Sequence, residues 1–79
     1  MIPPRMHAAL QRYVQKGIRP GHFLTALLAN DFMGAYQYAD DENIQLLPEY
    51  ARIIYNDIPN ACHGSYEIVE RWVRGHTNE

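Results

Sequence analysis

The sequence has a single cysteine and no long apolar run. Because Cys62 is the only cysteine, the chain can form no internal disulfide, and one unpaired thiol is typical of a reducing compartment. No apolar stretch approaches the roughly 20 residues that a membrane-spanning helix needs. The opening Met-Ile-Pro-Pro-Arg is not followed by the apolar run of a secretory signal peptide. We therefore expect a cytoplasmic protein with no membrane association.

An excess of basic charge is also missing. The chain has 7 basic and 9 acidic side chains, a formal net charge of −2. General nucleic-acid binding depends on many Lys and Arg contacts to phosphate, so we expect no such binding here. Lys16 is the only lysine, and the remaining basic residues are arginines, which suit specific bidentate contacts better than lysine does.

Residues that usually bind metals or act as nucleophiles form no recognisable motif. The candidates are His7, His22, Cys62, His63 and His76. Their spacing matches no zinc template, and no His-x-x-x-His pair is present. Cys62 and His63 are neighbours in sequence, but neighbouring side chains rarely point at each other, and nothing else marks a catalytic triad. We expect no metal, no cofactor and no enzymatic activity, with Cys62 a small buried residue that anchors its loop.

Apolar residues recur at helical spacing, and no alternating strand pattern of convincing length is present. The length allows one domain, residues 1–79. We predict an all-α fold, a compact bundle of four to five short helices. The expected helices are residues 4–16, 20–39 with a potential break near 30–31, 41–57 with an irregularity at Pro48, and 65–74.

Local residue chemistry sets these bounds. Gly17 is a natural C-terminal stop, and Pro20 can occupy the first position of the next helix. Pro48 would cost about 3 kcal/mol inside a helix, so we expect a short first turn and a main helix that begins near it. Ser65 can cap the last helix, Gly75 is expected to end it, and residues 76–79 are expected to fray.

The start of the second helix is the best candidate for a small-ligand site. Arg19, Gly21 and His22 surround a helix N-terminus, where free N–H groups and the helix dipole attract anions such as phosphate. The alternative is a tight turn between helices with a solvated arginine.

Four polar residues have expected structural roles. Asn30 and Asp31 interrupt a hydrophobic helix, where they could cap a break or pair with an arginine such as Arg52. A contact with a partner is the alternative. Asn56 begins the last long loop, and Ser65 ends it as a helix cap.

Aromatic residues are numerous for so small a chain. The sequence contains six tyrosines, two phenylalanines and one tryptophan, and the helix at 41–57 is apolar around much of its circumference. Tyrosine is common at interfaces because it combines a large apolar body with a polar tip. We therefore expect a partner protein or a homo-oligomer, with an interface formed by Tyr36, Tyr38, Tyr50 and Ile53.

The chain as a whole resembles a family of small proteins from tailed bacteriophages and prophages. The resemblance covers most of the sequence and rests on Arg12-Tyr13, Gly17-Ile18, Pro20-Gly21, Phe23-Leu24-Thr25-Ala26, Leu28, Asn30-Asp31, Ala39-Asp40, Asn43, Tyr55-Asn56, Pro59, Cys62, Gly64-Ser65 and Trp72.

This resemblance implies a biological setting rather than a mechanism, since it assigns no role to any residue. It implies a protein of the host cytoplasm. Short phage proteins commonly bind a surface of a host protein, and antagonists of host defence, anti-CRISPR proteins among them, are similar in size. The resemblance therefore favours a protein that binds and modulates a host protein, with an oligomeric binder of a small nucleotide signal as the alternative.

Overall fold

The chain is an all-α protein, as the helical spacing of its apolar residues predicts. The computed structural model describes residues 1–77, and within that range it contains six α-helices and one 3-10 turn. The helices are α1 Pro4–Lys16, α2 His22–Leu28, α3 Phe32–Tyr38, α4 Asp41–Gln45, α5 Leu47–Asp57 and α6 Tyr66–Thr77, and the 3-10 turn is Asn60–Cys62. There are more helices than the four to five expected because both long predicted segments, 20–39 and 41–57, are divided in two.

Helix α1 has the bounds that the sequence predicts. Pro4 is its first residue, where a missing N–H costs nothing. Gly17 ends it in the left-handed conformation, with φ 65°, and the Gly17 amide donates to the carbonyl of Tyr13 at 2.9 Å. Helix α2 begins at His22 rather than at Pro20, because Gly21 is the cap residue in extended conformation.

The predicted helix 20–39 breaks at Asn30 and Asp31, where the sequence predicts an interruption. Asn30 is left-handed, with φ 62°, which asparagine tolerates better than most residues. The Asp31 amide donates to the carbonyl of Ala26 at 2.8 Å, which closes the end of α2. The Asp31 carboxylate then accepts from the amide of Gly34 at 2.9 Å and so caps α3. A Cβ at Gly34 would collide with that carboxylate, which explains a glycine inside the first turn.

The predicted helix 41–57 breaks at Leu46, the residue before α5 begins. Asp40 caps α4 by accepting from the amide of Asn43 at 2.8 Å. Pro48 lies in the first turn of α5, where it breaks no helical hydrogen bond. The short α4 and the new start near Pro48 are the irregularity that the sequence predicts.

Helix α6 begins where Ser65 accepts from the amide of Ile68 at 3.1 Å. The prediction that Gly75 ends this helix is wrong, since the helix continues through Gly75 to Thr77. A glycine inside a helix costs only about 1 kcal/mol. The His76 ring packs on Trp72 with centroids 4.7 Å apart, and this contact favours continued helix. The rest of the tail expected to fray, residues 78–79, lies outside the described residues.

The core lies where α1, α2, α5 and α6 meet. Its largest fully buried side chains are Ile2, Tyr13, Leu28, Tyr50, Cys62 and Val69. None of the helices within residues 1–77 is both long enough and apolar enough to cross a bilayer.

Candidate functional site

An open groove of about 770 Å³ lies between the corner that joins α2 to α3 and the outer face of α5. Leu28 and Ile54 are buried and form its floor, while the loop at His63 and Gly64 closes one side. The Gly64 amide holds that loop against α2 by donating to the carbonyl of Leu28 at 2.7 Å. A groove of this volume can hold several side chains or one small ligand.

Two exposed aromatic side chains form the rim of this groove. Phe32, at the start of α3, is 65% exposed, and Tyr55, on α5, is 82% exposed. Tyr36 lies one turn after Phe32 on the same side of α3 and is also exposed, as is Met33. Large apolar side chains grouped beside a concave surface are a common mark of an interaction site.

Asp31 lines the groove, but both of its carboxylate oxygens already accept hydrogen bonds. One oxygen caps α3 through Gly34, and the other accepts from the hydroxyl of Tyr66 at 2.5 Å. These bonds, the one from Tyr66 above all, hold the pKa of Asp31 below its usual value. This carboxylate therefore joins α6 to the corner of α2 and α3, and it stays ionised.

Arg52 is exposed and is a cation of the groove. No carboxylate within residues 1–77 lies within ion-pair distance of its guanidinium. Its charge acts at longer range on Glu49, whose pKa is lowered first by the Met1 ammonium and then by Arg52. Arg52 thus presents its donors towards solvent beside the groove.

His63 contributes a second polar group with an unmet hydrogen-bonding requirement. Its Nε2 is enclosed, and among the described residues no hydrogen-bond partner reaches that atom. Most buried polar atoms in folded proteins have a partner, so an exception at a concave surface is informative. Asn30 and Asn56, both exposed, add their amide groups to the same groove.

The anion-site candidates, Arg19, Gly21 and His22, are engaged in other ways. Both terminal nitrogens of Arg19 bind the carboxylate of Glu70 on α6, one of them at 2.8 Å. The ring of His22 stacks on Tyr38 with centroids 5.0 Å apart. Because the guanidinium of Arg19 already has a carboxylate, this geometry favours the alternative, a turn between helices.

The four interface candidates divide into three groups. Tyr36 and Tyr38 are exposed on α3, at 55% and 51%. Ile53 is partly buried against the core. Tyr50 is fully buried, so its assignment to a partner surface is wrong. Its hydroxyl donates to the side-chain oxygen of Asn43 at 2.6 Å, and burial raises the pKa of this phenol to about 12.

The four polar residues with expected structural roles lie at three different positions in the fold. Asn30 and Asp31 form the break between α2 and α3, and Ser65 caps α6. Of the two alternatives for Asp31, the structure has the helix cap and not the pairing with Arg52, and its second oxygen accepts from Tyr66. Asn56 lies inside the last turn of α5, because that helix extends to Asp57.

Cys62 lies in the core rather than in a cleft. Its side chain is fully buried, and burial raises the pKa of its thiol, which is the opposite of what a nucleophilic cysteine needs. Among residues 1–77 no group of three or more His, Cys, Asp or Glu side chains is placed to hold a metal ion.

Sequence reasoning missed the two rim residues, Phe32 and Tyr55. The apolar spacing groups Phe32 with Phe23 and Tyr55 with Ile54, and Phe23 and Ile54 are both buried. The break at Asn30 carried a usable signal, since a new helix that begins after Asp31 turns Phe32 away from the face formed by α2. No comparable signal in the sequence distinguishes Tyr55 from its buried neighbours.

Comparison with known protein families, curated proteins and solved structures finds no match to this chain.

Proposed function

We propose that this chain is a non-enzymatic binding protein that modulates a partner protein through the groove between α2, α3 and α5. The observation that carries the proposal is the exposure of Phe32 and Tyr55, 65% and 82%, on either side of that concave surface. Burial of these rings is the largest free-energy gain that the groove offers.

The energetics support a protein partner. Full burial of a large apolar side chain contributes about 1.5–3 kcal/mol relative to full exposure, so the two rings offer at most about 3–6 kcal/mol, from which the cost of association is subtracted. Aromatic residues beside a pocket are typical hot spots of protein interfaces. Tyr36 extends the same surface along α3.

The setting that we propose for this binding is a phage-infected or prophage-carrying bacterium. It rests on the resemblance to small phage proteins. In that setting the partner is a host protein, and a component of a defence system such as CRISPR-Cas is the specific case that we favour. The alternative, an oligomeric binder of a small nucleotide signal, has less support because Arg19, the cation expected to bind such a signal, is paired with Glu70.

Affinity purification from bacterial cells that carry active defence systems tests this proposal. Tagged wild-type protein is compared with the double variant Phe32→Ala/Tyr55→Ala. The matched control is Ile18→Ala, since Ile18 is also exposed but lies in the connector between α1 and α2. Circular dichroism establishes that all three proteins fold.

The expected result is a protein enriched equally by the wild type and by Ile18→Ala, and enriched at least about tenfold less by the double variant. Equal enrichment by all three proteins, or no enriched protein, would contradict the proposal. Calorimetry with cyclic dinucleotides tests the alternative: binding heat that disappears in Arg19→Gln would support the nucleotide signal instead.

A further inference from the structure

The groove is lined by one exposed cation, Arg52, and by one carboxylate, Asp31. Arg52 carries five N–H donors in a planar fork and is exposed. Asp31, the acid that lines the groove, uses one oxygen for the Gly34 amide and the other for the Tyr66 hydroxyl. An occupant of the groove therefore meets an available cation and an acid that is already hydrogen-bonded.

The position of Arg52 places its charge beside an apolar anchor. Arg52 and Tyr55 are three residues apart on α5, so their side chains project from the same side of the helix. A guanidinium prefers a carboxylate that it can bind through two parallel hydrogen bonds. A partner segment that places an apolar side chain against Tyr55 can therefore also place a carboxylate against Arg52.

His63 lines the groove but does not add to this preference. Its Nε2 is enclosed, so an occupant of the open groove does not reach that atom, and residues 1–77 supply no hydrogen bond to it. Arg52 is therefore the group of the groove that favours an occupant with a carboxylate.

We infer that the groove binds a peptide segment of the partner that carries a large apolar side chain and, within about one helical turn of it, an Asp, Glu or C-terminal carboxylate. This inference rests on the proposed function and specifies the chemistry of the partner. The apolar side chain packs between Phe32 and Tyr55, and the carboxylate pairs with Arg52.

Selection of random displayed peptides on the full-length protein tests this inference. Enriched peptides are synthesised, and their affinities are measured by fluorescence anisotropy for the wild type and for three variants. Arg52→Gln removes the cation, and Phe32→Ala/Tyr55→Ala removes the rim. Arg12→Gln is the matched control, because it removes another exposed arginine, on α1, and changes the net charge equally.

We expect the enriched peptides to share an apolar residue and a nearby carboxylate. Arg52→Gln should weaken their binding by about tenfold or more, and Arg12→Gln by less than about twofold. Replacement of the peptide carboxylate by its amide should cost about the same factor in the wild type and almost nothing further in Arg52→Gln.

Failure of this inference is distinguishable from failure of the proposed function. If the double rim variant loses binding while Arg52→Gln does not, the groove is the site and the carboxylate is wrong. If neither variant loses binding, or no peptide is enriched, both ideas are overturned. If light scattering finds a dimer that Tyr55→Ala dissociates, the occupant is a second copy and the acidic peptide is rejected.

Discussion

The protein has two contrasting regions, a closed corner and an open groove. In the closed corner, formed by α1, the 3-10 turn and α6, Tyr13 donates to the carbonyl of Cys62 at 2.6 Å and Trp72 donates to the carbonyl of Tyr13 at 2.8 Å. At the groove, Phe32 and Tyr55 are exposed, and Nε2 of His63 has no partner among residues 1–77. In the closed corner the aromatic side chains make hydrogen bonds to the backbone, whereas at the groove the rings are exposed and one enclosed nitrogen has no partner among the described residues.

This difference separates stability from binding. A chain of this size has a stability of only about 4–12 kcal/mol, and the buried, hydrogen-bonded side chains of the closed corner contribute to it. The exposed rings of the groove contribute little to folding and are therefore available for contact with another molecule.

The comparison is sharpest between two tyrosines that undergo the same substitution. Tyr13→Ala should lower the free energy of unfolding by about 3–5 kcal/mol, because it leaves a cavity in a fully buried site. Tyr55→Ala removes the same atoms from an exposed site and should change it by less than about 0.5 kcal/mol. Urea unfolding followed by circular dichroism measures both values. Equal losses of unfolding free energy in the two variants would show that the closed corner contributes no more to stability than the groove does.

Removal of the hydroxyl alone tests the hydrogen bond in the closed corner. Tyr13→Phe leaves the carbonyl of Cys62 without its donor and should lower the free energy of unfolding by about 1–3 kcal/mol. Tyr55→Phe is the control and should have almost no effect. A Tyr13→Phe protein as stable as the wild type would show that the ring, and not its hydroxyl, closes this corner.

Two glycines test the contact between the end of α1 and the end of α6. Gly17 has φ 65°, and a Cβ there would collide with His76, so Gly17→Ala should cost at least about 1 kcal/mol. Gly75 lies inside α6 with open space around it, so Gly75→Ala should stabilise by about 0.5–1 kcal/mol. Thermal unfolding of the two variants should therefore shift in opposite directions. A Gly17→Ala protein that is as stable as the wild type or more stable would contradict both the strain at positive φ and the close approach of His76.

The hydrogen bond from Tyr66 to Asp31 predicts a small dependence of stability on pH. This bond lowers the pKa of Asp31 in the folded protein below the ordinary value of 3.8. The stabilisation that the bond contributes is therefore complete above pH 3.8 and is lost as the pH falls through the folded pKa. Glu70, paired with Arg19, and Glu49 have lowered pKa values in the same direction, so only a difference between variants isolates Asp31.

The measurement is the unfolding midpoint between about pH 5 and pH 2 for the wild type and for Tyr66→Phe. The wild type should lose more stability on acidification, and the two curves should converge at low pH. Tyr36→Phe, also on the surface, should follow the wild type. Parallel curves for the wild type and Tyr66→Phe would show that the bond does not influence Asp31.

The sequence alone predicts a helix end correctly where that end depends on the chemistry of nearby residues. Gly17 ends a helix because it accepts positive φ, Asp31 and Ser65 cap helices through their own side chains, and Pro48 is confined to a first turn. Gly75 shows the limit of this reasoning. Its local cost is small, and beyond it the side chain of His76 lies against Gly17 at the end of α1, a tertiary contact that no local pattern reveals.

The all-α fold and most helix ends follow from the sequence alone, because spacing, caps and prolines act over a few residues. Which aromatic side chains are buried depends instead on how the helices pack. Tyr50 and Tyr55 belong to one helix that is apolar around much of its circumference, yet one is fully buried and the other is 82% exposed. That choice depends on which face of α5 the other helices cover, and the groove exists because Tyr55 lies on the face that they leave open.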